Sequence, residues 1–123
     1  MPQAYLIAVK AALSSSFVIA SFDVLEEWAQ PDRGYIRIRA NLQNGDFLEA
    51  SEYFTRQAGS HASVRYRYQW MNSEKTILRR RWDNVPHYPN VMNFPHHIHL
   101  AKGDVIPGQS LSILELLEIL ESE

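Results

Sequence analysis

The chain reads as a single α+β domain over residues 1–123, a curved antiparallel sheet of about six strands with an N-terminal and a C-terminal helix. Three observations predict this. Apolar residues at helical spacing are confined to the two ends of the chain. The sequence between them alternates with a period of two, the signature of half-buried strands. Turn residues punctuate that middle portion, Asn44-Gly45 above all.

The first helix is expected over residues 3–15, where Leu6, Val9 and Leu13 recur among good helix formers and Ser14 to Ser16 end the pattern. From Phe17 the period changes. Val18, Ala20, Phe22 and Val24 alternate with Ile19, Ser21, Asp23 and Leu25, so residues 17–28 read as a strand. Pro31 to Gly34 is turn chemistry. Tyr35 to Leu42 alternates cleanly, and residues 47–54 return after the Asn44-Gly45 turn. A two-residue loop would set Ala40 against Glu49. A three-residue loop over Asn44 to Asp46 sets Leu42 by Leu48, Ala40 by Ala50 and Ile36 by Phe54, which gathers the apolar residues on one face. That register turns Glu52 inward opposite Ile38, where a carboxylate must be paired, protonated or functional.

Gln57 to Ala62 reads as a polar loop. Beyond it, Val64, Tyr66, Tyr68 and Trp70 alternate with Arg65, Arg67 and Gln69. A turn near Asn72 to Lys75 leads into Thr76 to Asp83. A three-residue loop there sets Trp70 by Leu78, Tyr68 by Arg80 and Tyr66 by Trp82. Arg65, Arg67, Arg79 and Arg81 then collect on the opposite face, with Asp83 beside Arg65. Like charges on one face destabilise a sheet, so the arrangement calls for a counter-ion, protein or nucleic acid. Asp83 to Pro86 begins a turn that runs through Pro95. His96 to Leu100 follows as a short strand, with His97 and His99 on one face and His96, Ile98 and Leu100 on the other. Ile106-Pro107-Gly108 prevents continuation. Ser110 is a good N-cap for a final helix over 111–121, whose stripe of Leu111, Leu114, Leu117 and Leu120 closes the core.

Composition limits the function classes. The chain has no cysteine, which excludes disulfides and thiolate metal sites. No run approaches the ~18 apolar residues of a membrane span, and the start lacks the basic segment and cleavage site of a signal peptide. A soluble cytoplasmic protein with no membrane partner is the expectation. The net charge of −2 conceals an asymmetry. Residues 1–55 carry seven acids and four bases; residues 56–102 carry eight bases against Glu74 and Asp83; five acids lie beyond. A local basic surface fits a polyanion or an acidic protein, and it equally fits a solvated strand face beside acidic neighbours.

Three groups carry potential chemistry. His97 and His99 share a strand face, and imidazoles that titrate near neutrality suit general acid–base work. With His87 or Asp83 they could instead hold zinc or a similar divalent ion, although no cofactor is required, or they could simply cap the loop. The second group is Arg79 to Asn84. Arginine forks bind phosphate bidentately, so Arg80 and Arg81 would contact a transferring phosphate, with Arg65, Arg67, Arg79, Asn84 and His87 as further substrate contacts. With His97 and His99 as acid and base and Asp83 orienting one of them, this is the equipment of a metal-independent ribonuclease. Glu52 is third, as a base or ligand, or as a buried ion-pair partner of Arg80. Two other classes stay open: a non-catalytic binding domain using its arginine face, and a metal-dependent hydrolase or nuclease.

The strings YRYQW (66–70), RRWDNVPH (80–87) and NFPHHIH (93–99) together resemble the TumE-like family. The resemblance covers the last half of the chain and points to Arg80, Trp82, Asp83, Asn84, Pro86, His87, Phe94, Pro95, His96, His97 and His99. Tyr88 stands where many relatives have a second histidine after His87. The resemblance implies a toxin of a type II toxin–antitoxin module, paired with an antitoxin that carries a helix-turn-helix DNA-binding domain. RNA is the expected target, and self-association is left open.

Overall fold

In a computed structural model of the chain, residues 1–57 and 59–123 are described. The elements follow in the order α1 (Pro2–Ser15), β1 (Ile19–Ala29), β2 (Arg33–Leu42), β3 (Phe47–Gln57), β4 (Ser60–Met71), β5 (Leu78–Asp83), β6 (His97–Leu100), β7 (Val105–Pro107) and α2 (Ile113–Glu121). All strands join one antiparallel sheet in chain order. Seven strands replace the expected six because residues 105–107 pair with β6. Pro107 is tolerated there because an edge strand needs no donor on its free side.

Both helices pack on one face of the sheet. Leu6, Val9 and Leu13 of α1 and Ile113, Leu116 and Leu120 of α2 meet Ile36, Ile38, Ala50, Phe54, Tyr66 and Tyr68 in one core. Each large side chain buried there contributes about 1.5–3 kcal/mol. The opposite face, here called the outer face, carries no helix. Its residues are the alternates of the same strands, mostly polar, with Trp28, Tyr35 and Tyr53 among them.

Where the β2–β3 and β4–β5 registers differ from expectation, the slip is mainly of two residues, so those strands keep their inward faces. In β1 a bulge at Ile19/Ser21 buries Ile19 and exposes Ala20, against the expected alternation. The β2–β3 hairpin turns on Gln43 to Gly45 rather than Asn44 to Asp46. Gly45 N donates to Leu42 O, Leu42 N donates to Asp46 O, and Gly45 takes the positive φ (93°) that a bulged turn needs. Ala40 therefore faces Leu48, Ile38 faces Ala50, and Ile36 rather than Ile38 faces Glu52. The β4–β5 turn is longer than expected, because the Asn72 side chain accepts from the backbone N–H of Thr76 and of Ile77. Trp70 then faces Arg80, Tyr68 faces Trp82, and Asp83 lies beside Arg67 rather than Arg65. A bulge at Trp70/Met71 leaves Arg79 as the extra residue, and that removes it from the arginine row.

The final helix starts two residues later than Ser110 would have it. Tyr66 Oη donates to Gln109 O and Tyr68 Oη to Leu111 O at 2.7 Å, which holds that segment extended. Ser112 caps instead, in a reciprocal box with Glu115. The expected polar loop at 57–62 is shorter: β3 runs to Gln57 and β4 starts at Ser60, while Ala58 of that loop lies outside the described residues.

Candidate functional site

Antiparallel pairing of β5 with β6 sets Asp83 opposite His97 and Arg81 opposite His99. Alternation points all four side chains to the outer face. His97 Nδ1–H donates to Pro95 O at 2.9 Å, which fixes the ring and aims Nε2 at the Asp83 carboxylate, 2.9 Å from Oδ1. A carbonyl only accepts, so His97 Nδ1 is the donor in that bond and Nε2 is the nitrogen left facing the carboxylate. Its Nε2 also lies 3.0 Å from His99 Nε2. Arg81 closes the group: its Nε is 3.2 Å from Asp83 Oδ2, and an Nη donates to His99 Nε2 at 3.2 Å. His99 Nε2 is thus an acceptor, and its neutral form carries the proton on Nδ1.

Burial sorts the two histidines. The side chains of His97 and Asp83 are 2% and 4% exposed, whereas His99 is 13% exposed and is the imidazole that solvent reaches. Burial, and then the neighbouring Arg81, push the pKa of His99 below its ordinary value, which favours the neutral base. Tyr88 lies against both rings, with centroids 4.9 Å from His97 and 5.6 Å from His99. A cleft of about 540 Å³ between Arg65, Asn84, Val85, Pro86 and Pro95 opens in the adjoining loop region.

Asp83, His97 and His99 each offer one donor atom, all within 4.8 Å of one another, so these three could hold a divalent ion. His87 is not among them; it lies exposed in the loop after β5. An ion bound there would have to displace the Arg81 guanidinium, which already contacts two of the three donors.

The remaining candidates are distributed elsewhere. Arg65 and Arg67 lie exposed on the outer face, Arg67 directly opposite Asp83. Arg79 is held by Asp46 at 3.3 Å, beside the Trp70 indole N–H that donates to the same carboxylate. Arg80 lies on the helix-covered side, paired with Glu123 at 2.7 Å and stacked over Trp70 and Trp82, with the sheet between it and the histidines. Asn84 acts as a backbone staple, accepting from Tyr66 N and donating to Val64 O.

Glu52 does not meet Arg80. It is buried in the core, where it accepts from Tyr5 Oη, Ser63 Oγ and Ile113 N. Burial raises its pKa despite those donors. Its position ties α1 and the start of α2 to β3.

Three participants have little signature in the sequence. The Pro95 carbonyl is invisible because any residue supplies one. Tyr88 is an exposed loop tyrosine with no pattern around it that marks it out. The Asp46 anchor of Arg79 depends on the bulge in β5.

Among the described residues, no helix is long and apolar enough to cross a membrane. Comparison with curated proteins and with solved structures finds no match. The family model described as Toxin TumE matches residues 8–123, which extends the likeness through the N-terminal half. The chain belongs to the TumE toxin family.

Proposed function

We propose that the chain is a toxin that cleaves RNA by acid–base transesterification at the outer-face histidines. The observation that carries this reading is the convergence of His97, His99, Asp83 and Arg81 within hydrogen-bond distance on the helix-free, arginine-bearing face, with His99 the imidazole open to solvent. His99 is the group that touches the substrate. Its Nε2 takes the proton of a ribose 2′-hydroxyl as that oxygen attacks the adjacent phosphorus. The new P–O2′ bond forms, the P–O5′ bond breaks, and the leaving O5′ takes the proton from His99. The products are a 2′,3′-cyclic phosphate and a 5′-hydroxyl, with the site returned to its starting protonation.

The other groups hold this step in place. Arg81 swings from His99 to the phosphate and offsets the charge that develops on its oxygens, with Arg67 and Arg65 along the incoming strand. His97 is a positioning residue, fixed by Pro95 O and Asp83, which sets its Nε2 3.0 Å behind His99 Nε2. Arg80 and Glu52 serve the fold in this reading, through Glu123 and through the α1–α2 junction.

A toxin of this family implies a cognate antitoxin. We expect an antitoxin with a helix-turn-helix DNA-binding domain that blocks this face. The test is induced expression of the chain alone and together with the product of the adjacent gene, with growth and total RNA followed. Growth arrest with RNA fragmentation, relieved by the partner and absent for His99→Ala, supports the reading. Arrest with intact RNA, or arrest by His99→Ala, overturns it.

One observation favours a metal-dependent second reading. His97 Nδ1–H bonded to Pro95 O is the support that a histidine ligand commonly has. Activity lost on chelation and restored by zinc or manganese would select this version; activity unchanged by chelation selects the first.

A further inference from the structure

The outer face holds a second group of side chains, on β1 to β3. Trp28 stacks on Tyr35 with centroids 6.2 Å apart and meets Tyr53 edge-on at 6.0 Å. All three are half-buried on a sheet face with no helix over it. An aromatic trio on an open sheet can be plain packing, but its surroundings argue for a ligand. Trp28 pairs with Tyr35, Tyr35 with Tyr53, and Tyr53 with Arg65 in one row across four strands. The next row, displaced by two residues along β4, runs from Arg67 through Asp83 to His97. The trio, the two arginines and the histidine group therefore form one continuous track. Tyr53 and His97 are three strands apart, roughly 16 Å on the diagonal for ordinary strand spacing.

Charge is unevenly spread along that track. Arg37 and Arg39 share Glu49 at 3.6 and 3.8 Å. Among the described residues, Arg65 and Arg67 have no carboxylate partner, so the excess positive charge lies between the aromatics and His99. An aromatic surface joined to unneutralised arginines suits a single strand, whose bases stack while its phosphates follow the cations. A duplex hides its base faces.

We propose that Trp28, Tyr35 and Tyr53 form a base-stacking subsite for single-stranded RNA, which runs from there over Arg65 and Arg67 to His99. This rests on the RNA-directed reading above and adds its substrate class. A few nucleotides bridge the two ends, so cleavage falls at a set distance from a stacked base.

The test uses the full chain and a 2′-O-methyl oligoribonucleotide, which binds but cannot be cleaved. Tyr53→Leu and Trp28→Leu keep apolar bulk and remove the aromatic face, and circular dichroism and melting temperature report whether they fold. The expectation for each is single-strand binding weakened about tenfold or more, with binding to a duplex of the same sequence unaffected. As a reporter that needs no core change, the strand should quench wild-type tryptophan fluorescence, and Trp28→Phe should lose most of that signal. Unchanged single-strand affinity in the folded variants overturns the subsite. So does unchanged RNA affinity with weakened antitoxin binding, which would assign the trio to a protein partner. If the wild type binds the modified strand through the trio yet leaves unmodified RNA intact, the subsite stands and the cleavage reading falls.

Discussion

The Nε2 atoms of His97 and His99 lie 3.0 Å apart, with the Asp83 carboxylate beside both. The pair is unequal, since one imidazole is sealed against a backbone carbonyl and the other faces solvent. Two variants that look alike in sequence should therefore behave differently.

His99→Ala should abolish RNA cleavage and growth inhibition with little change in melting temperature. His97→Ala should also abolish them, but it leaves the Asp83 carboxylate buried without its closest partner. Losing one member of a buried pair costs about 3 kcal/mol or more, so this variant should melt well below the wild type. Parallel activity and thermal-melt measurements check the split, and equal stability losses for the two would contradict it.

Glu52 predicts an acid-side dependence of stability. Its folded-state pKa is raised by burial, so its contribution is fully present below the ordinary carboxylate range. That contribution is lost as pH rises from there to the raised value. Glu52→Gln should flatten this segment of the stability–pH curve in denaturant titrations. Glu52→Ala strands Tyr5, Ser63 and the Ile113 N–H, and should cost about 3 kcal/mol or more. A wild-type and Gln variant with identical pH slopes would remove Glu52 from this role.

Gly34 packs against the ring of Phe54, and an added Cβ would sit 2.5 Å from Phe54 Cζ. Gly34→Ala should destabilise by about 1–3 kcal/mol through overpacking. Phe54→Leu in the same chain should recover part of that loss. A double-mutant cycle by chemical denaturation reads the coupling directly.

The parts of this fold that were legible in the sequence are those set by periodicity. Alternation at 35–42, 47–54 and 65–70 assigns each side chain to its face whether or not the register is right, because the slips are of two residues. It fails at Val64, which a bulge opposite Tyr53/Phe54 leaves exposed. The same alternation puts His97 and His99 on one face and turns Glu52 inward, as they stand in the structure. Positions that depend on loop chemistry were not legible. The Asn72 side chain lengthens one turn, a bulge redirects Arg79 to Asp46, and tyrosine hydroxyls delay the last helix to Ser112. The run Arg79 to Arg81 reads as one phosphate-binding group, but adjacent strand residues face opposite ways, and Arg80 lies on the side of the sheet away from Arg81. Its partner Glu123 lies at the far end of the chain, where no local pattern reveals it.

The central claim is that this outer face cleaves RNA through His99. The most direct measurement incubates the purified full chain, and His99→Ala, with a 5′-labelled single-stranded RNA, with and without a chelator. The account predicts discrete fragments ending in 2′,3′-cyclic phosphate for the wild type in both conditions, and intact RNA for the variant. RNA left intact by an active, growth-arresting wild type, or cut equally by His99→Ala, would contradict it.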